Sequence, residues 1–253
     1  MTAPVNAPAA TDFARPRAVA GAACLAPWGG RAEGVPGAAP EELPKVIGFV
    51  QSRFSPIVNA AVLTCLGEPT SDSNLVGTAG GRTAMVLATM YGDTVTGDTA
   101  TARMVEGQVH SPLLFFQSVT TSILGHLTKR YGITGPLTSL SHLTDPAGQA
   151  LLLADSLLES DAVDQVVVVG VETAANERAA WVQERLTAAG EPTGALPVSD
   201  AAAVVLLRKT GPGAEHLPLL DSAVTEPGAP AAPEYGWLSA LVAAGRPGTG
   251  AAA

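Results

Sequence analysis

Four consecutive valines, Val166 to Val169, lie inside the run Gln165 to Glu172 (QVVVVGVE) and constrain this chain more than any other feature. A strand facing water on one side alternates apolar with polar residues, whereas an unbroken β-branched run is apolar on both faces. Such a strand belongs inside a sheet covered by helices on each side. The surrounding pattern agrees. Arg17 to Leu25 (RAVAGAACL), Leu137 to Ser141 (LTSLS) and Ala201 to Arg208 (AAAVVLLR) read as further strands, and Asn74 to Thr78 (NLVGT) as a short one. Between them, helical apolar spacing predicts helices over Val46 to Leu66, with Pro56 as a break or restart, and over Gln117 to Tyr131 and Ala179 to Ala189. Asp145-Pro146 supplies an N-cap and a proline at the first helical position, which opens a helix through Glu159. Alternating strands and helices predict an α/β layered domain.

With 253 residues, the chain is long enough to bury roughly three quarters of its unfolded surface. Hydrophobic residues make up 47%, which is too many for a disordered chain, yet no apolar run reaches the roughly 18 residues of a membrane-spanning helix. The balance of 14 basic to 23 acidic residues, net −9, argues against nucleic acid as a partner. Cys24 and Cys65 have neither metal nor redox spacing, and Met1 to Ala10 lacks the features of a secretory signal. The expectation is a cytoplasmic protein with no metal and no cofactor, whose cysteines are core residues. Composition divides the chain into a disordered N-terminus (1–16), one domain (17–220), a linker (221–234), a tail helix (235–244) and a disordered C-terminus (245–253). The tail helix would carry Trp237, Leu238, Leu241 and Val242 on one stripe. It could pack back over the Pro146 to Glu159 helix, which is apolar around most of its circumference.

Taken in order, five segments resemble the amino-terminal half of a β-ketoacyl synthase, a thiolase-fold condensing enzyme. They are Ala18 to Gly29 (AVAGAACLAPWG), Asn74 to Gly81 (NLVGTAGG), Ser111 to Pro136 (SPLLFFQSVTTSILGHLTKRYGITGP), Asp164 to Glu172 (DQVVVVGVE) and Ser199 to Lys209 (SDAAAVVLLRK). The third is the most specific, with a helix containing the Gly-His step at His126 and a Tyr-Gly-x-x-Gly-Pro turn before the next strand. The resemblance implies a thiolase-like half-fold with a mixed five-stranded sheet and helices on both faces. It also implies that a catalytic cysteine should follow the strand after Gly135-Pro136, at the start of a helix. There the helix N-terminus would stabilise a thiolate. This sequence has Thr144, or Asp145, at that position, and no cysteine nearby. The family's histidine motifs are also missing.

The resemblance therefore implies a non-catalytic subunit of the chain-length-factor type, of the half-length kind associated with aryl-polyene-like type II systems. Its partners would be a full-length, cysteine-bearing ketosynthase in a heterodimer, and an acyl carrier protein bearing the growing polyketide or fatty-acid-like chain. In that family the strand before the nucleophile pairs across the dimer, which assigns Leu137, Thr138, Ser139, Leu140 and Ser141 to the interface. The helix ahead of it would wall an acyl tunnel with Phe115, Phe116, Val119, Thr120 and Ile123, unless the two phenylalanines simply fill the core. Glu172 matches a strand-end position where structural hydrogen bonding is expected. Two rival readings remain. Ser141, His142 and Asp145 could serve an independent acyltransferase or hydrolase, although neighbours on a strand point to opposite faces and no G-x-S-x-G elbow is present. Gly77 to Gly81 (GTAGG) could suggest a dinucleotide loop, but its spacing is wrong.

Overall fold

The computed structural model describes residues 13, 15–26, 42–108, 111–174, 176–211, 214–220 and 233–246. In chain order these form β1 (Arg17–Leu25), α1 (Phe54–Leu66), a 3-10 turn (Gly77–Arg82), β2 (Thr83–Thr89), α2 (Thr94–Val105), α3 (Pro112–Ser118), α4 (Thr121–Tyr131) and β3 (Leu137–Ser141). There follow α5 (Pro146–Glu159), β4 (Gln165–Glu172), α6 (Glu177–Ala188), β5 (Ala201–Arg208), β6 (Leu219–Leu220), a second 3-10 segment (Pro233–Leu238) and α7 (Ser239–Ala244).

The strands make one mixed sheet in the order β3-β2-β4-β5-β1-β6. β2 runs parallel to β3 and to β4, while β5 is antiparallel to β4 and to β1. Six strands replace the expected five because β6 adds two residues against the start of β1, too short a piece for any periodicity to reveal. The valine run behaves as its chemistry demands. Val166 and Val168 enter the core beneath α5 and α7, and Val167 and Val169 enter the core beneath α1 and α4. Burying each such side chain contributes about 2 kcal/mol.

Gly170 interrupts the run where the tail crosses the sheet. A Cβ there would lie 2.5 Å from a Leu241 methyl and 2.6 Å from a Leu238 methyl. The tail is shorter as an α-helix than expected: Gly236 takes a positive φ (51°) and kinks the 3-10 segment from within, and α7 begins only at Ser239. Tyr235, Trp237, Leu238, Leu241 and Val242 are nevertheless buried in the core shared with α5. α5 itself is covered on fewer sides than its composition suggested, because Gln149, Leu152, Ser156 and Glu159 form an exposed outer stripe. Of the termini expected to be disordered, most residues lie outside the described set, as do 221–232 of the linker. Phe13 is buried within the described residues.

Three local expectations fail for identifiable reasons. NLVGT is not a strand. It leads into the 3-10 turn, and the strand is the following Thr83–Thr89. Within GTAGG, Gly80 serves close packing: a Cβ there would sit 2.3 Å from the Gly132 carbonyl oxygen. The first helix begins at Phe54, not Val46, and Ile47 is 93% exposed. Residues 46–50 instead form a turn held by the Gln117 side-chain oxygen, which accepts from the amides of Val50 and Gln51 at 3.2 Å each. The Gln117 to Tyr131 helix is two helices, broken at Val119-Thr120, where Val119 adopts extended backbone.

Candidate functional site

The carboxyl ends of β2, β3 and β4 lead into Asp93, His142, Asp145 and Glu172, at the end where an open α/β sheet places its ligand sites. The turn from β3 into α5 carries the position that the resemblance assigns to a nucleophile. Asp145 is the N-cap of α5, and its Oδ1 accepts from the Gly148 amide at 2.9 Å. A Cβ on Gly148 would lie 2.0 Å from the Asp145 carboxylate, so this cap requires a glycine three residues on. The positive end of the helix is thereby occupied by the chain's own carboxylate. His142 Nδ1 accepts from the Asp145 amide at 3.0 Å and lies 3.3 Å from the hydroxyl of Thr144, which is exposed.

No thiol lies at this turn. Cys24, on β1, and Cys65, on α1, are both buried, and burial pushes each thiol up to about 12. Neither would ionise near neutrality, so neither is an activated nucleophile.

Ser141, His142 and Asp145 do not assemble a triad. The Ser141 hydroxyl donates to the Met90 carbonyl at 2.6 Å, the His142 amide donates to the Thr89 carbonyl, and the Asp145 carboxylate serves its cap. His142 Nδ1 faces the Asp145 amide instead of the carboxylate that would orient a general base. Ser141→Ala is expected to cost about 1 kcal/mol of stability, one hydrogen bond, and to leave the acyl-transfer rate of any complex within about twofold. A hundredfold rate loss in a melt-matched variant would restore the serine-nucleophile reading.

At the end of β4 sits Glu172, which is fully buried. Its carboxylate accepts from the Met90 amide at 2.7 Å, the Tyr91 amide at 3.4 Å and the Trp237 indole at 3.1 Å, with the Thr89 hydroxyl at 3.4 Å from both oxygens. Burial nonetheless outweighs these donors and pushes Glu172 up from 4.5 to about 7. Burial, and then the charge of Glu172, raise Tyr91 as well. Beside this pair, Asp93 caps α2 through the Thr96 amide at 3.1 Å and accepts from Ser52 at 2.6 Å. The Asp-Thr-x-Thr sequence at 93–96 was the available signal for that cap.

β3 is an edge strand, and among the described residues its far side pairs with nothing. Leu137 is 39% exposed, Thr138, Ser139 and Leu140 are half-buried, and Ser141 is exposed. The neighbouring helices add to this surface. Phe115 is 71% exposed, and Leu113, Phe116 and Val119 are exposed with it, so Phe115 does not fill the core. Thr120, half-buried, ties the α3–α4 junction to the edge through a 3.4 Å contact between its hydroxyl and that of Ser139. α2 buries only Thr96 and exposes Met104 and Val105. Ile123 does not share this surface. It is wholly buried in the core between the sheet and the α1/α4 layer, because the helix break rotates α4 away from α3.

No protein-family model and no curated protein matches the sequence; likeness to solved structures is extensive. The chain superposes on the complex of the ketosynthase ApeO with its chain length factor ApeC from Xenorhabdus doucetiae at a TM-score of 0.56, with 18% identity over 78% of this chain and 81% of that one. This chain has a ketosynthase fold. The ishigamide ketosynthase/chain length factor matches at a TM-score of 0.59, with 18% identity over 81% of this chain and 64% of that one. A type II acyl-carrier protein complex, AntDE:AntF with its ketosynthase bound to the hexaketide, matches at 0.55, with 14% identity over 77% and 59%. The ketosynthase-fold chain thus spans less than two thirds of the latter two chains. None of its described helices is long and apolar enough to cross a membrane.

Proposed function

We propose that this chain is a chain-length-factor-like subunit of a type II β-ketoacyl synthase: it contributes a pairing surface and part of an acyl tunnel, while a full-length cysteine-bearing ketosynthase supplies the nucleophile. The observation that carries the reading is the β3–α5 turn. The helix N-terminus that would stabilise a thiolate holds Thr144 and Asp145 instead, and Asp145 already fills it with its own carboxylate. Acyl transfer through an enzyme thioester requires a thiol, which that turn lacks, and its imidazole, His142, has Nδ1 taken up by the Asp145 amide.

The open edge of β3 and the exposed residues of α3 support the other half of the proposal. The ketosynthase partner would add its own strand to β3, and Phe115, Phe116, Val119 and Thr120 would face its acyl cavity. The acyl chain would arrive on an acyl carrier protein docked mainly to the partner, since a net charge of −9 disfavours an acidic carrier here. A cytoplasmic setting follows from such partners.

Co-expression with a full-length ketosynthase encoded beside it, followed by size exclusion, is expected to give a one-to-one complex that elongates carrier-bound acyl chains. Within that complex Val119→Trp should shorten the product by about one two-carbon unit and Phe115→Ala should lengthen it, because apolar bulk limits how far a chain extends. Elongation by this chain alone, or product lengths unmoved by both variants, would overturn the reading.

A further inference from the structure

We propose that Glu172 and Trp237 form a pH-sensitive latch that fastens residues 233–246 over the carboxyl end of the sheet and loosens as pH rises toward neutrality. The latch is built from segments 65 residues apart. The Trp237 indole donates to Glu172 Oε2 at 3.1 Å, and the same carboxylate collects the Met90 and Tyr91 amides where β2 ends. The rest of the tail depends on contacts flanking this point. The Trp237 amide donates to the Ala195 carbonyl at 2.8 Å, the Val198 amide to the Glu234 carbonyl at 2.9 Å, and Leu238 and Leu241 lie on Gly170. Trp237 donates to the buried carboxylate from the tail, so lifting the tail removes that donor and the cover over Glu172, and opening is coupled to its ionisation.

The titratable groups at the ends of the neighbouring elements do not neutralise it. The exit of β2 presents Tyr91, whose hydroxyl is held by Gln183 of α6 at 2.6 Å. The exit of β3 presents His142, which is engaged by Asp145. The start of β5, whose Ala201 lies opposite Glu172, follows Asp200, paired with Arg53 at 3.5 Å. The tail itself brings Glu234. Among the described residues no cation forms an ion pair with Glu172.

With the tail closed, burial holds Glu172 near 7; with the tail lifted and the carboxyl in water it returns to about 4.5. Between those values the closed form keeps a proton that the open form gives up. Opening therefore becomes about tenfold easier per pH unit up to about 7 and levels off above it.

Hydrogen exchange of the whole protein, read by mass spectrometry and corrected for the intrinsic pH dependence of exchange, tests this directly. The opening constant of residues 233–246 should rise about 40-fold between pH 5 and 7 and only about twofold more to pH 8.5, while β4 amides remain protected throughout. Glu172→Gln should flatten the profile. Trp237→Phe keeps the ring but removes one donor that favours the carboxylate, so it should move the midpoint to higher pH. A wild-type profile constant within twofold, a slope retained in Glu172→Gln, an unmoved midpoint in Trp237→Phe, or β4 amides opening in parallel with the tail would each overturn the latch.

Discussion

Leu137→Asp is expected to weaken pairing with a ketosynthase partner by more than about 30-fold, or 2 kcal/mol, without changing the thermal stability of the isolated chain. The asymmetry follows from where the residue sits. Leu137 opens β3, pairs with Met85 of β2 on one side, and has its other side on the sheet's edge with the side chain 39% exposed. Natural edge strands are usually blunted by charge, proline or a bulge, and LTSLS has none of these. An unprotected edge next to exposed Phe115, Phe116 and Val119 is suited to a covering strand from another molecule. A carboxylate placed there would be desolvated without a partner on association but would remain hydrated in the free chain. Trp181→Asp is the matched control. Trp181 is also exposed, but it stands on α6 between Arg178 and Arg185, away from the edge, and its loss should leave pairing intact. Titration by biolayer interferometry or analytical size exclusion reads both. Equal affinity for wild type and Leu137→Asp would remove β3 from the interface.

How much of this was legible beforehand depended on whether local chemistry and global packing demanded the same residues. β1, β3, α5, β4 and β5 begin and end where the sequence places them. Each is either an unbroken run of small or β-branched apolar residues, or starts with an unambiguous cap such as Asp145-Pro146. β2 stayed hidden because TAMVLAT mixes helix-favouring Met85, Ala88 and Leu87 into a strand whose neighbours on both sides, β3 and β4, come from later in the chain. α2 gave no signal because it buries only Thr96, leaving no apolar stripe to detect. The spacing of Ile47, Val50 and Phe54 imitated a helix by coincidence, and only the tie to Gln117, some sixty-seven residues away, makes that segment a turn. The candidate site divides the same way. The Asp145 cap is written locally, whereas the surroundings of Glu172 are not, since its donors are backbone amides at the end of β2 and an indole in the tail. The same long-range dependence hides Ile123, which a continuous helix would present beside Phe116 but the break at Val119-Thr120 turns inward.

Arg17→Ala should produce the largest stability loss of any single substitution considered, about 3–5 kcal/mol, or roughly a 10 °C fall in melting temperature. Arg17 is the first residue of β1 and is buried, with its Nε donating to Asp155 Oδ1 at 2.6 Å and its Nη2 reaching the Asp155 carbonyl and the Glu159 carboxylate. The hydrogen bond from Arg17 holds Glu159 below the usual carboxylate range. Asp155 is buried as well, so truncating the arginine strips a buried carboxylate of its guanidinium and opens a gap beneath α5. Loss of charge and loss of volume can be separated. Arg17→Met fills the space but breaks the Arg17–Asp155 ion pair, and should remain strongly destabilised. Arg17→Met combined with Asp155→Leu removes both charges and replaces them with apolar volume, and should recover most of the loss, because a buried ion pair gains little over a well-packed apolar pair. Denaturant melts of the three variants give the coupling directly. A double variant as unstable as Arg17→Met alone would mean that the geometry of the ion pair, rather than the cost of breaking it on one side, joins β1 to α5.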